Sequence, residues 1–554
     1  MTPGTASNWY ILFSMRNNYL NRKPGASYTV FIFFLFIILS VTSGCYLDDR
    51  DNVFDERSNN YYKVDYVAKE TAWTFMVFAG ADNNLEQDIL LDINEMQQGM
   101  KNVEGINLIV FIDRSSGFSS DSQILGENFS GGKIFRVTGS KIYELYGGDD
   151  ILPECRPDNF FDANSGSAVL LQKFIQFSKE NYPADKYALV LSSHGGGAAK
   201  RSVLPVLEKS TDGSSTRDVS VDDTSGDRIY TAEITDDLTS AESVDLLGYD
   251  ACLMGSVEVA YQYRPGNGSF SADFMVASPA SEWSLGWNYT TIFQRFAGTG
   301  VNVNETNDVI EDQGTNEQYF DVSSMTARQF GSVIVEEFYD QFTPYRGNYS
   351  AWDQSETMSC YDLSKVAAVK TAVENLVTAI DPDTDETGIS GLGISGTTSN
   401  VIYYYEYSSY IPYFPFHDLY DFAAAISNDT DEIFSDDLSD KANLLETAVD
   451  DMILYSFGGL AYDSMSNVGG AFQNGQHGVH IYFPRDVDFE TYGAWYNSID
   501  IENDLVSVSG YGKLAWCIDG QNTGVGVIGN WFELLDYWYD SPTDPDFNNN
   551  GYTP

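Results

Sequence analysis

The sequence predicts an α/β protein: a mostly parallel sheet with helices on both faces, followed by a C-terminal α+β region. Two observations carry this prediction. Short continuous apolar runs, the kind a strand buried on both faces requires, recur through the first half of the chain, and helical periodicity occupies spans between them. The composition supports real cores, with 43% hydrophobic and 14% aromatic residues in a chain of 554.

The elements follow in order. Trp73–Ala79 (WTFMVFA) is the first buried strand. Asp82-Asn83-Asn84 then offers N-cap chemistry, and Leu85, Ile89, Ile93 and Met96 share one face of the helix it would open. Asn107–Asp113 (NLIVFID) is the second strand. Ser165–Glu180 is a helix with Ala168, Leu171, Phe174 and Ile175 facing inward. Tyr187–Ser193 is the third strand, Val244–Tyr249 the fourth and Phe274–Ser278 the fifth. Between the third and fourth lies Ala198–Asp227, rich in Gly, Ser, Thr and Asp, which reads as a surface loop. Strands alternating with helices imply parallel pairing, and parallel sheets bind ligands at the carboxyl ends of their strands. Farther on, Leu363–Ile380 reads as a helix, and Val401–Tyr407 and Val479–Phe483 as strands.

The N-terminus has its own logic. Arg16, Arg22 and Lys23 precede the apolar run Tyr28–Val41, which is too short to span a bilayer comfortably, and Thr42-Ser43-Gly44-Cys45 follows. Basic, apolar and small in that order resembles a bacterial lipoprotein signal, with Cys45 as the lipidated residue. A plain signal peptide or an uncleaved anchor is the alternative. The chain therefore divides into a signal peptide (1–44), a polar tether (45–70), a catalytic or binding domain (71–310), a C-terminal α+β domain or extension (311–535) and a disordered acidic tail (536–554). The expected location is outside the cytoplasm, lipid-anchored in the cell envelope or secreted, with the lipid as the only link to a membrane.

Charge and cysteine usage exclude several classes. With 81 Asp+Glu against 30 Lys+Arg the net charge is −51, which leaves no basic footprint for nucleic acid. Five Cys in this length do not make a disulfide framework, and no Cys/His cluster has zinc spacing. Asp222–Asp227 is acidic but lacks EF-hand spacing, and Asp546, Asn548, Asn550 and Gly551 match only the first half of such a loop. No cofactor is expected to be required, and calcium stays open as an alternative.

Two strand ends carry the chemistry. The third strand ends in Ser192-Ser193-His194-Gly195-Gly196-Gly197, the fourth in Asp250-Ala251-Cys252-Leu253-Met254-Gly255. One offers a His and the other a Cys, from a chain with 4 His and 5 Cys. The remaining His417, His477 and His480 fall in the C-terminal region, away from the predicted sheet. A nearby imidazole and the N-terminus of a helix over Gly255–Arg264 would favour the Cys252 thiolate, and glycines after His194 would let backbone N–H groups approach a substrate carbonyl. Singly, each residue has an ordinary alternative: a strand-end His, or a small buried hydrophobe. Together, at successive strand ends of one sheet, they point to a Cys/His pair.

These blocks carry a family resemblance. SSHGGG and DLLGYDACLMGSVEVAYQY resemble the two active-site blocks of the clostripain family, peptidase family C11. FMVFAGADNNLEQDILLDINEM, DDTSGDRIYTAEITDDL, VASPASEWSLGWNYT, LYDFAAAIS and GVHIYFP resemble further family segments, so that the likeness runs from Thr71 to Pro484. It implies a caspase-like sheet and an exported cysteine endopeptidase acting on protein or peptide substrates. By matching positions Cys252 would be the nucleophile, His194 the general acid/base, and the amides of Gly195 and Cys252 the oxyanion hole. Asp250 would lie at the base of the S1 pocket and select Arg or Lys, since a carboxylate pairs a guanidinium bidentately. A second S1 acid found in basic-specific members is replaced here by Ala280, and Glu282 is expected to be structural. The resemblance also implies self-cleavage between His194 and Cys252, with Lys209 and Arg217 as candidate sites and Arg228 a further basic residue of that segment. The competing expectations are a caspase-like peptidase with another P1 preference, and a catalytically silent surface lipoprotein that binds peptides or glycans.

Overall fold

The computed structural model describes residues 71–157, 159–198, 219–297, 321–342, 356–385, 388–389, 401–404, 416–429, 433–458, 476–483, 499–500, 505–506, 511–521 and 528–539. The five predicted buried strands are present as β1 (Thr71–Ala81), β2 (Ile106–Arg114), β5 (Ala184–Ser192), β8 (Val244–Asp250) and β9 (Ala272–Ala277). All five pair in parallel, in the spatial order β2-β1-β5-β8-β9. Two antiparallel strands extend each side. They are β3 (Gly131–Val137) and β4 (Ile142–Leu145) beside β2, and β10 (Thr357–Asp362) and β12 (Ile453–Gly458) beside β9. The result is one nine-stranded mixed sheet to which residues on both sides of position 310 contribute.

Alternate residues of each central strand face opposite layers. Phe78, Phe111 and Leu191 pack with Leu171 and Phe174 of α2 (Ala168–Asn181), and with α4 (Val257–Gln262) and α7 (Val366–Ala379). Phe75, Val110 and Val190 pack with Ile89 and Ile93 of α1 (Glu86–Gly99), and with Phe293 of α5 (Tyr289–Gln294) and Phe330 of α6 (Ala327–Phe342). Burying both faces is what makes these strands continuous rather than alternating in sequence. No helix among the described residues is long and apolar enough to cross a membrane.

Three local expectations are corrected. First, α1 starts at Glu86 with Leu85 in the cap position and no side-chain cap bond from it, and of Asp82-Asn83-Asn84 it is Asn83 whose Oδ1 accepts from the incoming Leu85 N–H (2.9 Å). The Asn83 amide nitrogen also donates to the carbonyls of Gly80 and Val221 and to Ser193 Oγ, which ties strand ends together. Second, Ala198–Asp227 is not surface loop throughout. Its last part forms a hairpin, β6 (Val219–Asp222) with β7 (Asp227–Ile229), and every residue of β6 is buried. Polar Ser220 and Asp222 are tolerated there because their side chains bond the backbone at Ser165: Ser220 Oγ donates to its carbonyl, and Asp222 Oδ2 accepts from its N–H. Third, the C-terminal segment around β13 (His480–Tyr482) is not remote from the sheet. It pairs with β11 (Phe416–Asp418) and bridges Ser256 beyond the end of β8. The predicted strand over 401–407 is described only to Tyr404, where a single bridge joins Tyr403 to His417.

Candidate active site

β5 and β8 are neighbours with Ser192 opposite Asp250, so the two candidate segments leave the sheet side by side. Ser193 N donates to the Asp250 carbonyl (3.4 Å). Beyond that point the backbones touch. A Cβ placed on Gly195 would lie 2.3 Å from the Cys252 carbonyl oxygen and 3.1 Å from its nitrogen, so only glycine permits the approach. Gly197 has φ +76° and a Cβ there would meet Leu253 O at 2.9 Å. The structure thus brings His194, Gly195 and Cys252 together at one end of the sheet. Among the described residues no hydrogen bond joins the imidazole to the thiol.

The imidazole is held from another direction. His194 Nε2 bonds Asn84 Oδ1 at 2.8 Å. An amide oxygen only accepts, so Nε2 carries the proton and Nδ1 the lone pair. Burial pulls the His194 pKa down to about 4. Asn84 is a residue that sequence reasoning misses, reading it only as part of a cap segment. Its position just after β1 was the available signal, since this sheet gathers its chemistry at strand ends.

Cys252 is half-buried. Its Sγ lies 3.3 Å from the Glu282 carbonyl and 3.2 Å from the Glu282 N–H. Burial pushes the thiol up to about 12, and the carboxylates of Glu282 and Glu356 add to the shift. The expected help from a helix N-terminus does not materialise. α4 begins only at Val257, and the Ser256 side chain caps it by accepting from the amides of Glu258 and Val259. Both members of the pair are therefore neutral without substrate.

Leu253 follows with φ 62°, a left-handed conformation that costs a branched side chain about 1 kcal/mol or more. Its N–H donates to Ala280 O (2.8 Å), and its carbonyl accepts from His480 Nε2 (3.0 Å).

Asp250 is buried. Tyr289 OH donates to its Oδ2 (2.8 Å) and Trp287 N to its Oδ1 (3.3 Å). Gly286, with φ +56°, leaves room for it, since a Cβ there would sit 2.9 Å from Oδ1. Burial raises the Asp250 pKa to about 6 against the lowering effect of these donors. Glu282, Asp92 and Glu95 are raised as well, by burial first and then by repulsion from Asp250. Asp250 thus lies among carboxyls that repel it, and one of them, Glu282, also borders Cys252. Ala280 is buried and contributes only backbone and Cβ there, and its N–H donates to Ser278 Oγ and Thr357 Oγ1 (both 3.2 Å).

The possible calcium ligands behave as turn residues. Asp222 Oδ1 accepts from Ser225 N (2.7 Å) and Oδ2 from Ser165 N (3.0 Å). Among the described residues no group of three or more His, Cys, Asp or Glu is arranged to hold a metal ion. Cys45, Lys209, Arg217 and the Asp546–Gly551 segment lie outside the described residues.

Comparison with known proteins bears on this constellation. A model of the clostripain family, peptidase C11, matches residues 77–538. Clostripain of Hathewaya histolytica is 38% identical over 518 residues, covering 89% of this chain and 93% of the relative. Among solved structures, a secreted C11 cysteine protease from Bacteroides thetaiotaomicron bound to an irreversible peptide inhibitor overlays with a TM-score of 0.47 at 19% identity, over 78% of this chain and 99% of that one. An inactive zymogen C11 protease from Parabacteroides distasonis overlays with a TM-score of 0.47 at 18% identity, over 80% and 100%. The family match over most of the chain and the extent of the clostripain likeness decide the assignment: the chain belongs to the clostripain family and is a cysteine peptidase.

Proposed function

We propose that the chain is an exported endopeptidase that cleaves after Arg or Lys, with Cys252 as nucleophile and His194 as general acid/base. The observation that carries this reading is the backbone contact of Gly195 with Cys252 at the ends of adjacent parallel strands. It sets a His-bearing and a Cys-bearing turn against each other, which supports a shared role for the Gly195 and Cys252 amides at one substrate carbonyl.

The steps follow from the protonation states. With substrate bound, the thiol proton passes to His194 Nδ1, and sulfur attacks the carbonyl carbon. The tetrahedral oxyanion is held by the amides of Gly195 and Cys252. The C–N bond then breaks, the amine takes the proton from His194, and water with His194 as base releases the acyl group. A resting thiol at about 12 costs the first proton transfer, and the carboxyls of Glu282 and Glu356 are part of that cost. A cationic P1 side chain seated at Asp250, close to Glu282, would favour the ionised form of Asp250 and add a positive charge that eases ionisation of the thiol. Substrate choice and thiol activation are coupled in this way.

Self-cleavage at Lys209 or Arg217 fits the same specificity. Val219–Asp222 has anchors of its own in the described structure: Val219 bridges Gly195, Val221 N donates to Ser193 Oγ, and the next residue's amide, Asp223 N, donates to Asp82 O. A break upstream leaves those contacts intact. Export by the signal at 1–44 and lipidation at Cys45 complete the reading, and the reaction needs no cofactor. It is tested with fluorogenic peptides bearing P1 Arg, Lys, Asp or Leu, assayed with and without a calcium chelator beside Cys252→Ala. Equal turnover by the variant sinks the nucleophile, and a preference for Leu removes the role of Asp250.

A further inference from the structure

His480 lies far from both catalytic blocks in sequence, yet its ring reaches the turn that carries the candidate nucleophile. Nε2 is 3.0 Å from the carbonyl oxygen of Leu253, the residue after Cys252. A carbonyl only accepts, so Nε2 holds the proton and Nδ1 the lone pair; Nδ1 is buried and has no hydrogen-bond partner among the described residues. Burial pulls the ring's pKa down to about 4, so the donor is a neutral imidazole. The ring is fully buried and stacked on Phe416 at 4.2 Å between centroids. Its backbone is fixed as well, since His480 N donates to Gly255 O (3.0 Å).

The acceptor is no ordinary carbonyl. Leu253 has φ 62°, and its amide is already tied to Ala280 O. A left-handed branched residue persists only where its surroundings over-determine it. Here the amide is held on one side and the carbonyl on the other. Phe416 extends the same support to the histidine-bearing turn, because a Cβ on Gly197 would meet its ring at 3.0 Å.

We propose that the Nε2–H bond from His480 to Leu253 O is a positioning contact that fixes the Cys252–Leu253 peptide, and with it the sulfur and the Cys252 amide, for attack. The C-terminal region thereby has a role in catalysis: it supplies the brace for the nucleophile turn. This rests on Cys252 being the nucleophile, and the experiment separates the two.

Three variants of His480 are compared on a P1-Arg peptide, beside Cys252→Ala. His480→Leu removes the donor, His480→Gln returns one at the reach of Nε2, and His480→Asn carries an amide too short to reach Leu253. The expected result for His480→Leu and His480→Asn is a kcat lower by about 10- to 100-fold with KM little changed, as for a small misplacement of reacting groups. His480→Gln restores kcat to within about threefold of the parent protein. A folded His480→Leu with parental kcat overturns the proposal, as does a His480→Gln no better than His480→Asn. Should His480→Leu fail to fold, the Gln and Asn pair decides. Activity surviving in Cys252→Ala removes the underlying nucleophile assignment instead, whatever the His480 variants do.

Discussion

Asn84 Oδ1 accepts a hydrogen bond from His194 Nε2 at 2.8 Å, and this contact decides which nitrogen of the imidazole is available for chemistry. With Nε2 committed as donor, Nδ1 is the nitrogen that would exchange a proton with thiol and leaving group in the proposed reaction. Asn84 is itself exposed, next to the buried Asp82 and Asn83 of the turn after β1, so the ring is oriented from the solvent side.

Asn84→Ala should therefore lower kcat by about 5- to 10-fold, the value of one neutral hydrogen bond, with little change in KM. Asn84→Asp keeps the acceptor and adds a negative charge, which raises the His194 pKa from about 4 and moves the acidic limb of the kcat profile upward. An Asn84→Asp profile superimposable on that of the parent would show that Asn84 has no hold on the ring.

Gly195→Ala forces a methyl group to 2.3 Å from the Cys252 carbonyl, and the obstacle is backbone, which cannot rotate away. The two turns must separate. The expected loss of kcat is about 100-fold or more, because both proposed oxyanion donors move relative to the sulfur. Circular dichroism and thermal melting distinguish this local effect from unfolding.

Asp250 titrates near 6 in the free protein. A protonated Asp250 cannot pair with a guanidinium, so kcat/KM for a P1-Arg peptide should fall as pH drops through about 6. Asp250→Asn should lower kcat/KM on that peptide by about 100-fold at neutral pH, the loss of a charge-assisted bond, and should abolish that limb. Persistence of the limb in Asp250→Asn would assign it to another group.

Asp113 is buried at the end of β2, and burial with repulsion from Asp222 and Asp82 raises its pKa to about 9 from 3.8. Between those two values the unfolded chain has lost the proton and the folded chain keeps it, so stability must fall as pH rises. One such group contributes up to about 1.4 kcal/mol per pH unit. Thermal melts at pH 6 and pH 8.5 should show the higher Tm at pH 6, and Asp113→Asn should reduce the difference. An Asp113→Asn variant with the full parental pH dependence would show that this carboxyl does not stay protonated.

How much was legible follows from these cases. WTFMVFA, NLIVFID and the runs ending at Ser193, Tyr249 and Ser278 gave the five parallel strands, because burial on both faces writes itself as continuous apolar sequence. β3 escaped notice because Lys133 and Arg136 interrupt it. Lys133 is tolerated near the core through its salt bridges to Glu127 and Glu144 (2.7 Å to the latter). The helix expected over Gly255–Arg264 shrank to Val257–Gln262, as the preceding residues are spent on the turn that bridges His480.

The sequence by itself determined the five parallel strands, the acidic character and the two strand ends at which His194 and Cys252 stand, since apolar runs, composition and local spacing encode them. Only the tertiary structure decided what holds those two residues. The Asn84 contact spans 110 residues of chain and the His480 contact 227, and a hydrogen bond between such distant positions leaves no periodic trace. It exists because strand order sets β1 beside β5, and because β13 is carried back to the turn after β8.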